Sequence, residues 1–236
     1  MSLLKDLCRD LHQLASPANA IVLQRFFKTG PGEYGYGDKF LGVTVPKQRL
    51  LAKDYHESLQ LKDLRFLLKS KLHEERLLAL LILVLKYNKA SLADQRKIYD
   101  FYFTMIAGIN SWDLVDLSAP YIVGAYLFDK EKSFLHELIR SKNLWQRRIA
   151  IVSTLYFIRK HFYQETLKLA KKLLHDDEDL IYKATGWMLR EVGKCDFAIL
   201  NNFLSRYCRV MPRIMLKYAI ERFPEKLRQF YLYSRV

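Results

Sequence analysis

The sequence lacks any long uninterrupted apolar run. Its longest such stretch, Leu77 to Leu85, is about half the length that a membrane-spanning helix needs. No apolar leader segment with charged flanks stands near the N terminus. These absences predict a cytoplasmic protein that has no membrane partner.

Metal-binding and disulfide-forming residues are scarce. The three cysteines (Cys8, Cys195 and Cys208) are an odd number without C-x-x-C spacing, so neither a disulfide framework nor a zinc site is expected. The six histidines are scattered, and no two of them have the spacing of helical metal ligands. The sequence therefore predicts no metal site and no histidine-based triad.

Glycine and proline are also few, with 9 and 6 among 236 residues, which disfavours turn-rich β structure. Half of the residues are apolar, enough to bury one continuous core. Apolar residues recur at three- and four-residue spacing through most of the chain, which is the period of an amphipathic helix. The sequence therefore predicts an all-α protein.

Polar residues, glycine and proline divide the chain into about fourteen predicted helices. Ser16-Pro17 and Val45-Pro46 place a proline in a first helical turn, and the acidic residues 176–179 place negative charge at a helix N-terminus. The predicted helices are 2–14, 17–28, 46–56, 60–70, 73–87, 91–107, 111–127, 131–140, 144–160, 163–174, 178–193, 196–208, 211–221 and 224–234.

Four of these helices are related by a repeat. Arg76, Trp112, Arg148 and Ala184 lie at steps of 36 residues, a period that suits helix-turn-helix repeats of the HEAT type. One such helix pair cannot bury its apolar face alone, so neighbouring pairs must stack. We therefore predict a single domain, residues 1–236, folded as an α-α superhelix (solenoid) whose concave face collects residues of the same register.

Acidic residues are outnumbered, which leaves a net charge of +14. The excess is uneven: residues 1–118 carry 17 basic and 13 acidic side chains, and residues 119–236 carry 22 and 12. Such an excess attracts polyanions and suggests nucleic acid as a partner, although solvated Lys and Arg faces give similar counts. The same two interpretations apply to a basic C-terminal group: Tyr207, Arg209, Arg213, Lys217, Arg222, Lys226 and Arg228.

The one long segment without helical pattern runs from Thr29 to Asp38. It contains four of the nine glycines and two tyrosines, Tyr34 and Tyr36. No strand precedes it and no Gly-Lys-Ser/Thr follows it, so it is not a phosphate-binding P-loop. We expect an ordered loop, and its composition fits a connector as well as a loop that contacts substrate.

Aromatic, acidic and basic residues share one predicted register. Trp112 and Asp116 lie four residues apart, hence on one face of a helix. Arg148 follows one repeat later. The next repeat presents Lys183, Trp187 and Arg190, at i, i+4 and i+7.

Each of these residues also has a purely structural interpretation. The two tryptophans would fill the core between repeats, and Asp116 would pair with Arg148. A solenoid core prefers Leu, Val and Ile, however, so the recurrence of indole and cation in one register favours a binding surface.

Three blocks of the sequence resemble the AlkD-type DNA alkylation repair enzymes. They are Ser-Trp-Asp-Leu-Val-Asp at 111–116, Asn-Leu-Trp-Gln-Arg-Arg at 143–148 and Lys-Ala-Thr-Gly-Trp-Met-Leu-Arg-Glu at 183–191. The resemblance also takes in residues 40–43, Pro46-x-x-Arg49 and the glycine-rich loop. It covers roughly residues 20–195, and the last 40 residues are similar only in helical character.

The resemblance implies a HEAT-like repeat alkylpurine DNA glycosylase. Such an enzyme hydrolyses the N-glycosidic bond of positively charged N3- and N7-alkylated purines in double-stranded DNA, as a step of base excision repair of alkylation damage. It uses no metal or cofactor. We expect this chain to act as a monomer.

The resemblance also implies residue roles. Asp116 matches the catalytic aspartate, Trp112 and Trp187 match the aromatic pair that flanks the lesion, and Arg148 matches an arginine that supports phosphate and carboxylate. Where the family carries a tyrosine, this chain has Phe26-Phe27, so a hydroxyl contact to DNA is absent. Contacts to DNA are expected from Lys183, Arg190, Phe26, Arg147 and Lys194.

A mechanism without a general acid fits these residues. An alkylated purine already carries positive charge and leaves readily, so the enzyme must stabilise the oxocarbenium sugar that develops. Asp116 would supply the negative charge and orient water, and Arg148 would favour its ionised form. The indole faces of Trp112 and Trp187 would attract the cationic nucleotide.

Two other functions fit the sequence. The first is a non-catalytic HEAT-repeat protein that recognises damaged or unusual DNA structure, against which Asp116 and both tryptophans argue. The second is a protein-interaction scaffold whose concave face binds an acidic helix or tail. Salt-dependent binding of duplex DNA would separate this scaffold from a DNA-binding protein.

Overall fold

A computed structural model describes residues 3–233, so Ser2 and Ser234, at the ends of the predicted first and last helices, lie outside the described residues. Within this range all regular structure is helical, apart from one isolated parallel bridge between Lys39 and Leu72. The all-α prediction is confirmed. The chain forms two compact units, with the boundary after residue 118. The single domain over residues 1–236 and its concave face stay predictions.

The first unit is organised around one buried helix. Eleven of the 17 residues of this helix, His73–Lys89, are buried, and it packs against four other helices of the unit: Val45–Tyr55, Leu61–Leu68, Leu92–Thr104 and Trp112–Asp116. Its apolar residues fall on all sides, which is the pattern of a helix surrounded by others. The helices of the unit are α1 (Leu3–Gln13), α2 (Pro17–Phe26), α3 (Val45–Tyr55), α4 (Leu61–Leu68), α5 (His73–Lys89), α6 (Leu92–Thr104) and α7 (Trp112–Asp116), with a 3-10 turn at Ile106–Gly108.

None of the residues of helix α2 is buried, and its first turn is fixed by local contacts. The Ser16 hydroxyl accepts a hydrogen bond from the backbone N–H of Asn19, and Pro17 occupies the first turn. Gly42, at a φ of 84°, passes so close that a Cβ there would lie 2.1 Å from the Ser16 carbonyl oxygen. Only glycine combines that φ with that approach.

The second unit has two central helices, α10 (Leu144–Arg159) and α12 (Asp179–Cys195), which pack on each other. Helix α14 (Arg213–Ala219) also lies close to α12, since a Cβ at Gly186 would come within 2.4 Å of the Met215 carbonyl oxygen. The elements of the unit are a π-helical turn at Pro120–Gly124, α8 (Ala125–Leu127), α9 (Ser133–Leu138), α10 (Leu144–Arg159), α11 (Gln164–Lys172), a 3-10 turn at Leu173–His175, α12 (Asp179–Cys195), α13 (Phe197–Tyr207), α14 (Arg213–Ala219) and α15 (Glu225–Tyr233).

Every predicted helix has a counterpart whose ends differ by a few residues, with one exception. The predicted helix 111–127 is interrupted, with α7 ending at Asp116 and a π-helical turn beginning at Pro120. Proline has no N–H to donate and its ring clashes with the preceding turn, so a continuous helix cannot form there. None of the helices within residues 3–233 is long and apolar enough to cross a bilayer.

The predicted 36-residue repeat is only approximate in the structure. Arg76, Arg148 and Ala184 are the fourth, fifth and sixth residues of α5, α10 and α12, whereas Trp112 is the first residue of α7. Equal spacing in sequence therefore does not give equal positions along the helices. The turns between helices differ in length, and α7 itself is a single turn.

Candidate functional site

The short helix α7 presents the two residues on which the predicted chemistry depends. Trp112 begins the helix and Asp116 ends it, and both side chains are partly exposed. The three residues between them (Asp113, Leu114 and Val115) are buried. An indole and a carboxylate therefore share the open side of one helical turn, as their four-residue spacing predicts.

An aromatic stack holds Trp112 in place. Its ring lies nearly parallel to that of Phe27, with centroids 5.2 Å apart, and meets Phe26 edge-on at 5.8 Å. Phe27 in turn stacks on Phe40 at 5.1 Å. The indole Nε1 donates a hydrogen bond of 3.2 Å to the hydroxyl of Tyr34. Phe27 is 6% exposed and Phe26 is 62% exposed, so Phe26 alone of the pair is open to a ligand.

The glycine-rich loop is part of this arrangement, because it carries Tyr34. Gly35 allows the loop to approach α2, since a Cβ there would lie 2.4 Å from the Phe27 carbonyl oxygen. The Gly35 N–H donates to the Lys28 carbonyl oxygen at 3.1 Å. Lys28 itself has a φ of 52° at the end of α2. The loop is therefore ordered and positions a tyrosine against the candidate catalytic helix.

A cluster of buried charges lies beneath the aromatic stack. His73 contacts Asp113 through Nε2 at 2.8 Å and Asp38 through Nδ1 at 3.1 Å. Arg76 donates to the same Asp38 oxygen at 2.6 Å and to the Ser70 carbonyl oxygen at 2.8 Å. The four charged residues are at most 8% exposed. We call them the buried charge cluster.

Histidine in this cluster is protonated at neutral pH. Burial alone would lower the pKa of His73, but its hydrogen bonds to Asp113 and Asp38 outweigh burial and raise the pKa to about 9. Burial likewise opposes ionisation of Asp38, yet His73 and Arg76 hold the pKa of that carboxyl below its ordinary value. The cluster therefore pairs two cations with two anions, and a protonated His73 donates from both ring nitrogens.

Sequence reasoning missed His73, because its partners lie 35 and 40 residues away in the chain. Helical periodicity reports only local spacing, so nothing in the pattern links position 73 to positions 38 and 113. The ring of Phe40 stacks on His73 at 4.6 Å. The charge cluster therefore supports the aromatic stack and the start of α7 together.

A buried glutamate anchors the backbone of residues 41–43. The Glu74 carboxylate accepts hydrogen bonds from the backbone N–H groups of Leu41, Gly42 and Val43, at 2.9, 2.8 and 3.2 Å. Glu74 is 1% exposed. Three N–H donors on one carboxylate satisfy its charge without a cation. The segment that carries Phe40 is therefore anchored to the first turn of α5.

Asp116 lies near the fully buried Tyr102. Burial and the charge of Asp116 raise the pKa of Tyr102, although its hydrogen bond with Ser118 opposes them. Within residues 3–233 no group of three or more His, Cys, Asp or Glu side chains is arranged so that it could hold a metal ion.

In the second unit, one side of α12 carries three of the predicted DNA-contacting residues together with Trp187. Trp187 donates from Nε1 to Glu191 at 3.1 Å, and the same carboxylate receives the ammonium group of Lys194 at 2.7 Å. Arg190 pairs with Glu191 at 3.5 Å and with Glu221. We define the α12 basic face by its members, all partly or fully exposed: Lys183, Trp187, Arg190 and Lys194.

The two predicted arginines of α10 are largely engaged within the second unit. Arg148 is 5% exposed and donates to the Leu180 carbonyl oxygen at 2.6 Å. Arg147 forms a two-pronged ion pair with Asp176, at 2.7 and 3.1 Å, and donates to two carbonyl oxygens at the start of α10. Both arginines therefore join α10 to the segment around α12. Their contacts to DNA stay predictions.

Comparison with known proteins gives a consistent result. A family model described as DNA alkylation repair enzyme matches residues 7–223. A solved structure, a predicted DNA alkylation repair enzyme from Enterococcus faecalis, superposes with a TM-score of 0.69 over 89% of this chain and 97% of that chain. The two sequences are 17% identical, so this likeness shows a shared fold alone. No curated protein matches the chain.

Proposed function

Since the chain belongs to the family of DNA alkylation repair enzymes, we propose that it is a DNA glycosylase acting in base excision repair. Its substrates are positively charged N3- and N7-alkylated purines in duplex DNA, whose N-glycosidic bond it hydrolyses. The observation that carries this proposal is the presentation of Trp112 and Asp116 on one helical turn. Buried aromatic and charged contacts hold that turn in place.

In this proposal Asp116 acts through the negative charge of its carboxylate. As the bond from C1′ to the purine breaks, its electron pair neutralises the cationic base and the sugar becomes an oxocarbenium ion. A carboxylate beside that sugar stabilises the positive charge and orients the water that adds to C1′, while the water proton passes to solvent. Trp112 faces the cationic nucleotide with its indole, a contact worth ~0.5–2 kcal/mol.

Residues of the second unit bind the substrate in this proposal. The α12 basic face contacts the phosphate backbone, and Trp187 supplies a second indole for the lesion. Arg148 supports a phosphate, and the exposed Phe26 of the first unit packs on the sugar or base. The protein acts as a monomer.

Release of 7-methylguanine and 3-methyladenine from methylated duplex DNA tests the proposal. The wild-type protein is expected to release both bases. Asp116→Asn should reduce the rate by about 100- to 1,000-fold, because it removes charge aimed at the transition state, and should leave DNA affinity nearly unchanged. Arg148→Ala should lower both the rate and the affinity.

Asp100→Asn is the matched control, since it removes an exposed carboxylate from α6 of the same unit. It should retain full activity. Unchanged excision by Asp116→Asn would rule out the proposed role of this carboxylate. Loss of DNA binding in Asp116→Asn would mean that Asp116 acts in the structure of the complex rather than in the reaction.

A non-catalytic DNA-binding function is the second candidate, and the α12 basic face favours it. Three cations and an indole on one helix suffice to bind a phosphate backbone and a base without any reaction. Salt-sensitive binding of duplex DNA without release of a base would favour this candidate. Absence of duplex binding would favour a protein-interaction scaffold instead.

A further inference from the structure

The second unit carries an open groove that the proposed reaction does not use. The groove has a volume of about 590 Å³ and is lined by the turn before α11, by α11 itself and by α13. Its described lining includes no residue of α12, so the groove is separate from the α12 basic face. Ligand sites commonly have volumes of about 300–1,000 Å³. We call this surface the α11–α13 groove.

The floor of the groove is an uncovered edge of the hydrophobic core of the second unit. Phe203 belongs to that core, and Leu167 and Tyr207 pack against it while they remain partly exposed. Phe162 also lines the groove and is 38% exposed. A partner that places apolar side chains in the groove would remove this surface from water, which favours binding.

The exposed side chains along the groove are basic. Lys168, Lys171 and Arg206 line it, and its described lining contains no Asp or Glu. Lys168 lies 3.8 Å from Glu165, but that carboxylate is buried and lies 2.6 Å from His136. Neither Lys171 nor Arg206 pairs with a carboxylate of the described residues. The groove therefore combines an apolar floor with positive charge that is not neutralised, and both properties are complementary to an acidic partner with apolar side chains.

Cations and neighbouring rings already pack on the aromatic side chains of the groove. Lys171 lies over the ring of Tyr207, 5.7 Å from its centroid, and Phe203 packs beside the same ring at 4.8 Å. Lys132 lies over the ring of Phe162 at 5.6 Å. Single-stranded nucleic acid binds through open aromatic faces, and duplex DNA binds mainly through its phosphates, which gain nothing from an apolar floor. These contacts favour a protein over a nucleic acid as the occupant.

We propose that the α11–α13 groove binds an acidic amphipathic helix of a partner protein. The nine residues of α11 and the eleven of α13 make these helices about 14 and 17 Å long, so a helix of about three turns matches the length of the groove. Apolar side chains of the partner, at three- and four-residue spacing, cover the floor, and its carboxylates pair with Lys171 and Arg206. This docking site does not depend on the glycosylase function.

Fluorescence anisotropy of a labelled synthetic peptide, titrated with the full chain, tests the proposal. The peptide is Glu-Leu-Glu-Asp-Phe-Leu-Glu-Glu-Leu-Phe-Asp-Glu, capped at both ends, and it should bind with a Kd below about 100 µM. One control peptide has Ser in place of every Leu and Phe, and the other has Gln and Asn in place of Glu and Asp. Each control should bind at least about tenfold more weakly. If the Ser peptide bound as tightly as the first peptide, the attraction would come from net charge alone and the proposal would be overturned.

Variants of the groove locate the binding site. Arg206→Glu should weaken binding of the acidic peptide at least about tenfold, and Arg209→Glu is the matched control, because Arg209 is an exposed arginine just after α13 that does not line the groove. Asn202→Trp should block the groove by bulk. Ser205→Trp places the same ring on α13 outside the groove and should leave the affinity unchanged. All four positions are exposed, so these substitutions should not unfold the protein.

Binding of duplex DNA by the same variants tests nucleic acid as the alternative occupant. Arg206→Glu and Arg209→Glu should change duplex affinity equally, because both reverse one charge outside the α12 basic face. A clearly larger loss in Arg206→Glu would assign the groove to DNA and overturn the proposal. Equal affinity for the acidic peptide in Arg206→Glu and Arg209→Glu, equal affinity in Asn202→Trp and Ser205→Trp, or no binding of the peptide to the wild-type protein would overturn it as well.

Discussion

The two candidate tryptophans are held by different kinds of interaction. Trp112 in the first unit packs on Phe27, beneath which lie the ion pairs of His73. Trp187 in the second unit is tied to Glu191, whose partners are surface cations. Ion pairs in a dry interior become costly when one partner is removed, whereas exposed pairs contribute little. The position of Trp112 is therefore coupled to the stability of its unit, and the setting of Trp187 can rearrange at little cost.

The largest expected contrast comes from removing one charged partner in each unit. His73→Ala leaves Asp38 and Asp113 buried with one partner fewer and should lower the free energy of unfolding by about 4 kcal/mol. Glu191→Gln should change it by less than about 0.5 kcal/mol, because its ion pairs are partly exposed. Urea denaturation followed by circular dichroism measures both values. A loss of less than about 1 kcal/mol in His73→Ala would show that the buried charge cluster does not hold the first unit together.

The same contrast predicts a pH dependence for the first unit. The pKa of His73 rises from an ordinary 6.5 to about 9 on folding, so the folded state holds its proton more tightly. This stabilisation is fully present below pH 6.5 and is lost as the pH rises from 6.5 through 9, which amounts to about 3 kcal/mol. Urea denaturation at pH 6, 7.5 and 9 should show that decline. His73→Gln is the control and should remove it, and a wild-type profile parallel to that of His73→Gln would contradict the prediction.

Much of the helical architecture follows from the sequence, because helix formation depends on local spacing. The predicted helices 73–87 and 144–160 correspond to α5 and α10 within two residues at each end. The sharing of one helical turn by Trp112 and Asp116 was predictable for the same reason. The interruption at Pro120 also had a visible signal, since a proline cannot continue a helix.

The support beneath the site was not predictable, because it depends on contacts between distant positions. Nothing in the local pattern separates Phe26 from its neighbour Phe27, yet one is exposed and the other is buried between two rings. A glutamate in the first turn of a helix, such as Glu74, is usually solvated. The Glu74 carboxylate instead accepts hydrogen bonds from three backbone N–H groups. Arg148 was expected on an open face and is 5% exposed. Tertiary packing decides each of these cases.

The adjacent phenylalanines give a smaller contrast within the first unit. Phe27→Leu should lower the free energy of unfolding by about 2 kcal/mol, because it removes buried area and the aromatic contacts to Trp112 and Phe40. Phe26→Leu should change it by less than about 0.5 kcal/mol and should weaken DNA binding instead. Thermal denaturation and duplex-binding titrations measure the two effects. Equal destabilisation by the two substitutions would mean that the aromatic stack is not specific to Phe27.

Among these variants, Glu191→Gln is expected to change the free energy of unfolding least. It should strengthen DNA binding rather than weaken it. The Glu191 carboxylate accepts a hydrogen bond from the indole N–H of Trp187 and forms ion pairs with Arg190 and Lys194. These three partners are members of the α12 basic face. Removing the charge of Glu191 adds one net positive charge where phosphate is expected, so affinity for duplex DNA should rise several-fold at low salt, and the gain should shrink as salt screens it. Glu137→Gln, an exposed substitution on α9 of the same unit, controls for net charge alone. A gain of equal size in both variants would place the effect in the overall charge of the protein rather than on α12.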